Sequence, residues 1–250
     1  MRFLLTLGLV VLVTACSTSS KDKITNSLAV NYKLTDKSGD FYVTRKRFYK
    51  EKSNKFVVKK VLLSDSTKTA NVLEKSILVS NLGQLKGKDL FRPESSYYEV
   101  WFDGKKYVSA MKVNVKEKKL EVILNSPEAQ WKGRRSYDFP TNSNVFCFYN
   151  QVAECLGYSG FLSEAIKKNH GSMKFKLIWN GYPYFQEQYL NIPEGVFQDA
   201  EFSYDGKSED GNFRFSLKTE NHVQFYFFDD DLKLKKYFWV AQALSMIEVE

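Results

Sequence analysis

Two dipeptides with a fixed backbone consequence, Asp103-Gly104 and Asn180-Gly181, each separate a pair of runs that alternate apolar and polar residues. Asp-Gly and Asn-Gly supply the positive φ of a tight type I′ turn, so the pattern predicts two hairpins, 97–102 with 105–113 and 173–179 with 182–190. Pro183 places the start of its strand at an edge or a bulge, because it has no N–H for a ladder. Period-two alternation runs through the rest of the chain from Leu28. Residues 28–34 put Leu28, Val30, Tyr32 and Leu34 on one face; 41–49 and 56–63 pair across a polar turn at 50–55; 72–79 reads as a strand or a short helix, the strand being favoured; and 113–115 turns through 116–119 into 120–124. Further strands are expected at 200–204, 213–217, 223–228 and 237–249, with turns at Asp205-Gly206, 209–212 and 229–233. A helical period appears only at about 151–169, broken by Gly157 and Gly160 and stopped near Gly171. Twenty Phe and 15 Tyr against 13 Gly and 5 Pro suit pleated, half-buried surfaces. The expected fold is mainly β, a β-dominated α+β domain over 28–250: one long twisted antiparallel sheet or half-barrel with a short helical insert. Pro127, Gly133, Arg134, Arg135 and Pro140 interrupt the strands at 126–144, where two sub-lobes of a shared sheet would meet.

The N-terminus carries an address. Arg2 is followed by an apolar run over 3–13, too short to span a bilayer, and then by Val13-Thr14-Ala15-Cys16. This pattern resembles the lipobox signal of bacterial lipoproteins. The resemblance implies that 1–15 is a signal peptide, that Cys16 becomes the acylated N-terminus, and that the protein is anchored to a membrane. Several acyl chains make such an anchor effectively permanent. Ser17 after the modified Cys implies the periplasmic face of the outer membrane. Residues 16–27, polar and small after Cys16, read as a tether.

The formal charge is +8, densest from Arg45 to Lys60, where eight Lys or Arg face only Glu51. Export removes nucleic acid from the expected partners. Two readings remain: lysines lining an exposed or edge strand, keeping sheets from pairing and the protein soluble, which is favoured, or a surface for anionic lipid headgroups, lipopolysaccharide or acidic cell-wall polymer.

With Cys16 taken by lipid, Cys147 and Cys155 remain, and an oxidising compartment favours a disulfide between them. Eight residues span roughly 26 Å as strand and 12 Å as helix, against a Cα limit near 7 Å. The bridge therefore requires a reversal, and 145–149 as strand, Asn150-Gln151 as bend and 152–156 as helix provide it.

No catalytic residue, metal site or cofactor is expected. Gly157-Tyr-Ser-Gly160 has its second glycine one residue too early for a nucleophile elbow, and Asp229-Asp230-Asp231 reads as a solvated turn rather than a calcium loop. A zinc site from Cys147, Cys155 and His170 lacks a second short-spaced ligand pair, and His222 reads as surface or half-buried. Trp101, Trp131, Trp179 and Trp239 read as core, or as the wall of an apolar cavity roofed by the helical insert. That second picture resembles, in architecture and address, the half-barrel carriers LolA and LolB, which ferry lipoproteins across the periplasm, and also uncharacterised single-sheet periplasmic domains. The leading functional expectation is a non-catalytic binding or scaffold lipoprotein whose partners are the membrane and an apolar ligand or envelope protein. The alternatives are a carrier of lipid or lipoprotein and a cell-wall hydrolase.

Overall fold

The computed structural model describes residues 24–85, 88–189, 192 and 194–249, so the lipobox with Cys16 lies outside the described residues. A first meander comprises β1 (Ile24–Asp36), β2 (Gly39–Lys50), β3 (Lys55–Leu63), β4 (Val72–Leu85), β5 (Lys88–Phe102), β6 (Lys105–Asn114), β7 (Lys119–Asn125) and β8 (Gly133–Asp138). After it come β9 (Phe146–Phe148), the helices α1 (Val152–Tyr158) and α2 (Phe161–Lys168), β10 (Ser172–Ile178) and α3 (Tyr184–Gln188). The chain closes with β11 (Phe197–Lys207), β12 (Phe213–Lys218), β13 (Val223–Phe228), β14 (Leu234–Trp239) and β15 (Leu244–Val249).

The fifteen strands of the described residues form one sheet in the order β8-β7-β6-β5-β4-β3-β2-β1-β15-β14-β13-β12-β11-β10-β9. The ladders are antiparallel except for the parallel pair β9 and β10. The described chain thus starts at the centre of the sheet, walks out to one edge, crosses to the other and walks back, with β1 paired to β15. This topology dictates the shape. Fourteen spacings of about 4.8 Å would hold β8 and β9 about 67 Å apart in a flat sheet. The link from Asp138 to Phe146 spans at most about 28 Å. The sheet therefore rolls up, and its β9 end tucks inside: Ser96 of β5 donates to the Asn180 carbonyl at 2.8 Å, and Ser109 of β6 to the Tyr182 carbonyl at 2.7 Å.

Alternation sets the two faces of the roll. In β7, Leu120, Val122 and Leu124 are buried while Ile123 and Asn125 are exposed, and register aligns them with Met111 and Ser109 of β6. The Asp103-Gly104 hairpin forms as its sequence requires, with both residues at positive φ (+49° and +74°). The helical insert at 151–169 is found as α1 and α2, ending at Asn169 in a left-handed cap.

Several expectations need correction. The second hairpin does not form: β10 pairs with β11, and residues after Gly181 turn into α3. The groups of Asn180 that would shape a turn are engaged in tertiary bonds, its Oδ1 accepting from the Asn150 N–H at 3.1 Å and its carbonyl from Ser96. The span 237–249 is two strands, because a 3-10 turn at Val240–Gln242 and a left-handed Ala243 reverse it without any Gly or Pro. Asp205-Gly206 lies inside β11 at a register shift against β12, not at a turn. Among the described residues β1 is already strand at Ile24, ahead of the expected start at Leu28, with an irregularity between Thr25 and Leu28, so 24–27 is strand rather than tether. Of the two positions expected for the lysine-rich run, an exposed or an edge strand, the edge does not hold: β2 and β3 lie between β1 and β4, and strand order depends on long-range pairing that local sequence does not encode.

Candidate functional site

The disulfide organises the interior. Cys147 on β9 and Cys155 on α1 are bonded with Cα atoms 5.9 Å apart, and the reversal between them is a 3-10 turn at Tyr149–Gln151. With both thiols in the bridge, neither serves as zinc ligand or nucleophile. The staple aims three polar side chains into the roll. Gln151 accepts from Ser80 Oγ at 2.8 Å and donates to the Leu78 carbonyl, and the Tyr149 and Tyr237 hydroxyls meet at 2.6 Å. Glu154 binds Arg45 through both carboxylate oxygens, one contact being 2.6 Å.

Arg45 also donates to the Asn150 carbonyl at 3.0 Å, so its guanidinium is committed to the α1 end of the insert. Burial opposes the charge of Glu154, but the hydrogen-bonded Arg45 outweighs it and holds the carboxyl below its ordinary range. Burial likewise opposes the Arg45 charge and Glu154 overcomes it, raising that pKa. Nearby, Lys60 pairs with Glu74 at 3.0 Å, the carboxylate being almost fully buried. Tyr237 donates to Gln224 at 3.1 Å. Burial pushes Tyr32 up to about 12 and Tyr149 and Tyr237 well above the usual phenol range, so these groups act as neutral hydrogen-bonding partners.

A cavity of about 70 Å³ sits against this cluster, with Arg45, Lys60, Tyr149, Tyr226, Tyr237 and Trp239 in its wall. That suffices for water but is less than half the roughly 150 Å³ that admits a benzene-sized guest. The space beside it is filled by Phe185 of α3, which stacks between Trp179 (centroids 5.3 Å, 24°) and Trp239 (6.4 Å, 11°).

Other singled-out residues lie apart. His222 is buried, not half-exposed, and accepts from Trp239 Nε1 at 3.2 Å, whereas His170 is exposed after α2. Asp229 Oδ1 accepts the N–H groups of Asp231 and Lys233, as a self-capped turn does. Trp101 is half-buried, with Lys106 5.9 Å over its ring, and Trp131 packs on Tyr184. Sequence reasoning missed Arg45, Lys60, Glu74 and Glu154. A signal existed for Arg45: the phase that puts Phe41 and Val43 inward puts Arg45 there too.

No protein-family model matches the chain, and no curated protein matches it. Among solved structures it is similar to the crystal structure described as a beta-barrel-like protein of a domain of unknown function, DUF1849, from Brucella abortus. The TM-score is 0.51 at 8% identity, over 90% of this chain and 96% of that one. The fold is a barrel-like rolled sheet. At such identity the likeness carries architecture alone, and it agrees with the open, mostly antiparallel roll described above.

Proposed function

We propose that this protein is a lipid-anchored, non-catalytic binding or scaffold module of the bacterial envelope, held through Cys16 on the periplasmic face of the outer membrane. The observation that carries the choice of scaffold over carrier is the occupied interior. A carrier of acyl chains needs an apolar chamber of several hundred Å³. In this roll the space enclosed by the insert holds Phe185, Trp179 and Trp239, with about 70 Å³ beside a paired-charge cluster, and the larger concavity of about 400 Å³ at Ser27, Leu28, Arg47 and Phe56 is open to solvent and carries a charged wall rather than forming a closed apolar chamber. Arg45 and Glu154 neutralise one another, as do Lys60 and Glu74, which suits a rigid support better than acid–base chemistry. The address rests on the sequence Thr14-Ala15-Cys16-Ser17.

Native mass spectrometry of the protein purified from its own host tests the reading. A stoichiometric protein partner is expected, and co-purifying lipid within the delipidated domain would refute the scaffold in favour of a carrier. Fatty-acid labelling tests the anchor: Cys16→Ser abolishes incorporation and membrane fractionation, whereas unchanged labelling would remove the assigned address.

A further inference from the structure

Arg45 and Lys60 of the basic run pair with Glu154 and Glu74, and the lysines at its turn are not explained by edge protection, because β2 and β3 lie inside the sheet. Strand direction supplies an explanation. The first meander is antiparallel throughout, so the β2–β3 and β6–β7 turns lie at the end of the sheet where β1 begins. Each of these turns, with its flanking strand residues, holds three lysines and one glutamate: Lys50, Lys52 and Lys55 with Glu51, Lys55 being paired with Glu94 of β5 at 2.6 Å, and Lys116, Lys118 and Lys119 with Glu117. At the opposite end the four turns of the same meander (36–39, 63–72, 102–105 and 125–133) each hold one lysine and one acid. The basic end also exposes apolar side chains, Val115 at 74% on the β6–β7 tip and Ile24 at 55%.

We infer that the β2–β3 and β6–β7 turns form a docking face for an anionic phospholipid bilayer. The inference rests on the reading of Cys16 as the anchor: eight peptide steps separate it from Ile24, so Ile24, at that end of the sheet, stays within about 28 Å of the lipid. Clustered lysines beside a membrane anchor are drawn to anionic headgroups, and a lone exposed Val between polar residues suits the interface. The acyl chains supply the attachment; the turns set the orientation. The β11–β12 and β13–β14 turns at the same end carry Glu209 and Asp210, and Asp229, Asp230 and Asp231. These acids are partly answered by Lys236, Lys207 and Lys233, and an anionic surface repels what remains. The roll therefore tilts, with the β2–β3 and β6–β7 tips down.

The test is amine acetylation of the full lipidated protein in phosphatidylcholine vesicles with and without phosphatidylglycerol, read lysine by lysine by mass spectrometry. Adding the anionic lipid is expected to slow Lys50, Lys116 and Lys118 several-fold while Lys37, Lys105 and Lys233 are unchanged, and salt is expected to erase the difference. The exposed-turn variant Lys116→Glu with Lys118→Glu should lose the protection at Lys50. Equal rates at both ends, or protection by soluble heparin but not by anionic vesicles, would overturn the proposal. The acyl mass of the Cys16 peptide in the same digest judges the anchor separately, and footprinting on added vesicles judges the face even if Cys16 is bare.

Discussion

The ring of Tyr98 occupies the place where a side chain on residue 181 would begin. A Cβ on Gly181 would lie 2.9 Å from two ring carbons of Tyr98 and 2.9 Å from Cβ of Phe185. Tyr98 is fully buried on β5 and donates to Gln188 at 2.8 Å, so it has no room to give way. The glycine is required for close approach rather than for a hairpin. Gly181→Ala is expected to destabilise the protein by about 1–3 kcal/mol through overpacking. A urea midpoint equal to wild type would show that the ring relaxes freely.

The Arg45–Glu154 pair crosses from the sheet to the insert, and removing one partner strands a buried charge. Glu154→Gln should cost about 3–5 kcal/mol, whereas Arg45→Met with Glu154→Leu should come close to neutral. Because folding lowers the Glu154 pKa, its contribution is complete above the unfolded value near 4.5 and is lost as pH falls through the lower folded value. Urea titrations at several pH values should show the wild type losing stability on acidification below about 4.5. The double variant should lose less over the same window, and parallel curves would contradict the assignment.

Closing a loop of this size with the Cys147–Cys155 bond should contribute about 2–3 kcal/mol by limiting the unfolded chain. Cys147→Ala with Cys155→Ala is therefore expected to lower stability by that amount. Free thiols at both positions in non-reducing peptide maps of native protein would contradict the bridge itself.

Phe185 fills the middle of the roll between two tryptophans. Phe185→Ala should destabilise by about 3–5 kcal/mol and open a void beside the existing cavity. Stability within measurement error of wild type would mean that the interior collapses around the gap, and that its packing is not what excludes a guest.

Sequence alone determined the local geometry. Alternation fixed which side chains face inward along β7, Asp103-Gly104 fixed one hairpin, and the eight-residue spacing of Cys147 and Cys155 demanded a reversal that the 3-10 turn provides. These features depend on φ, ψ and side-chain period, which neighbours along the chain set. Tertiary structure decided the rest. The pairing of β1 with β15, the central place of β2 and β3, and the conversion of the Asn180-Gly181 cue into a passage beneath Tyr98 all arise from contacts between residues tens to hundreds of positions apart. The ion pair of Arg45 with Glu154 is of the same kind, since a charged residue on an apolar phase announces that a partner is needed but not which element brings it. Local preference chooses strands; the burial and hydrogen bonding of distant partners choose their order and what the roll encloses.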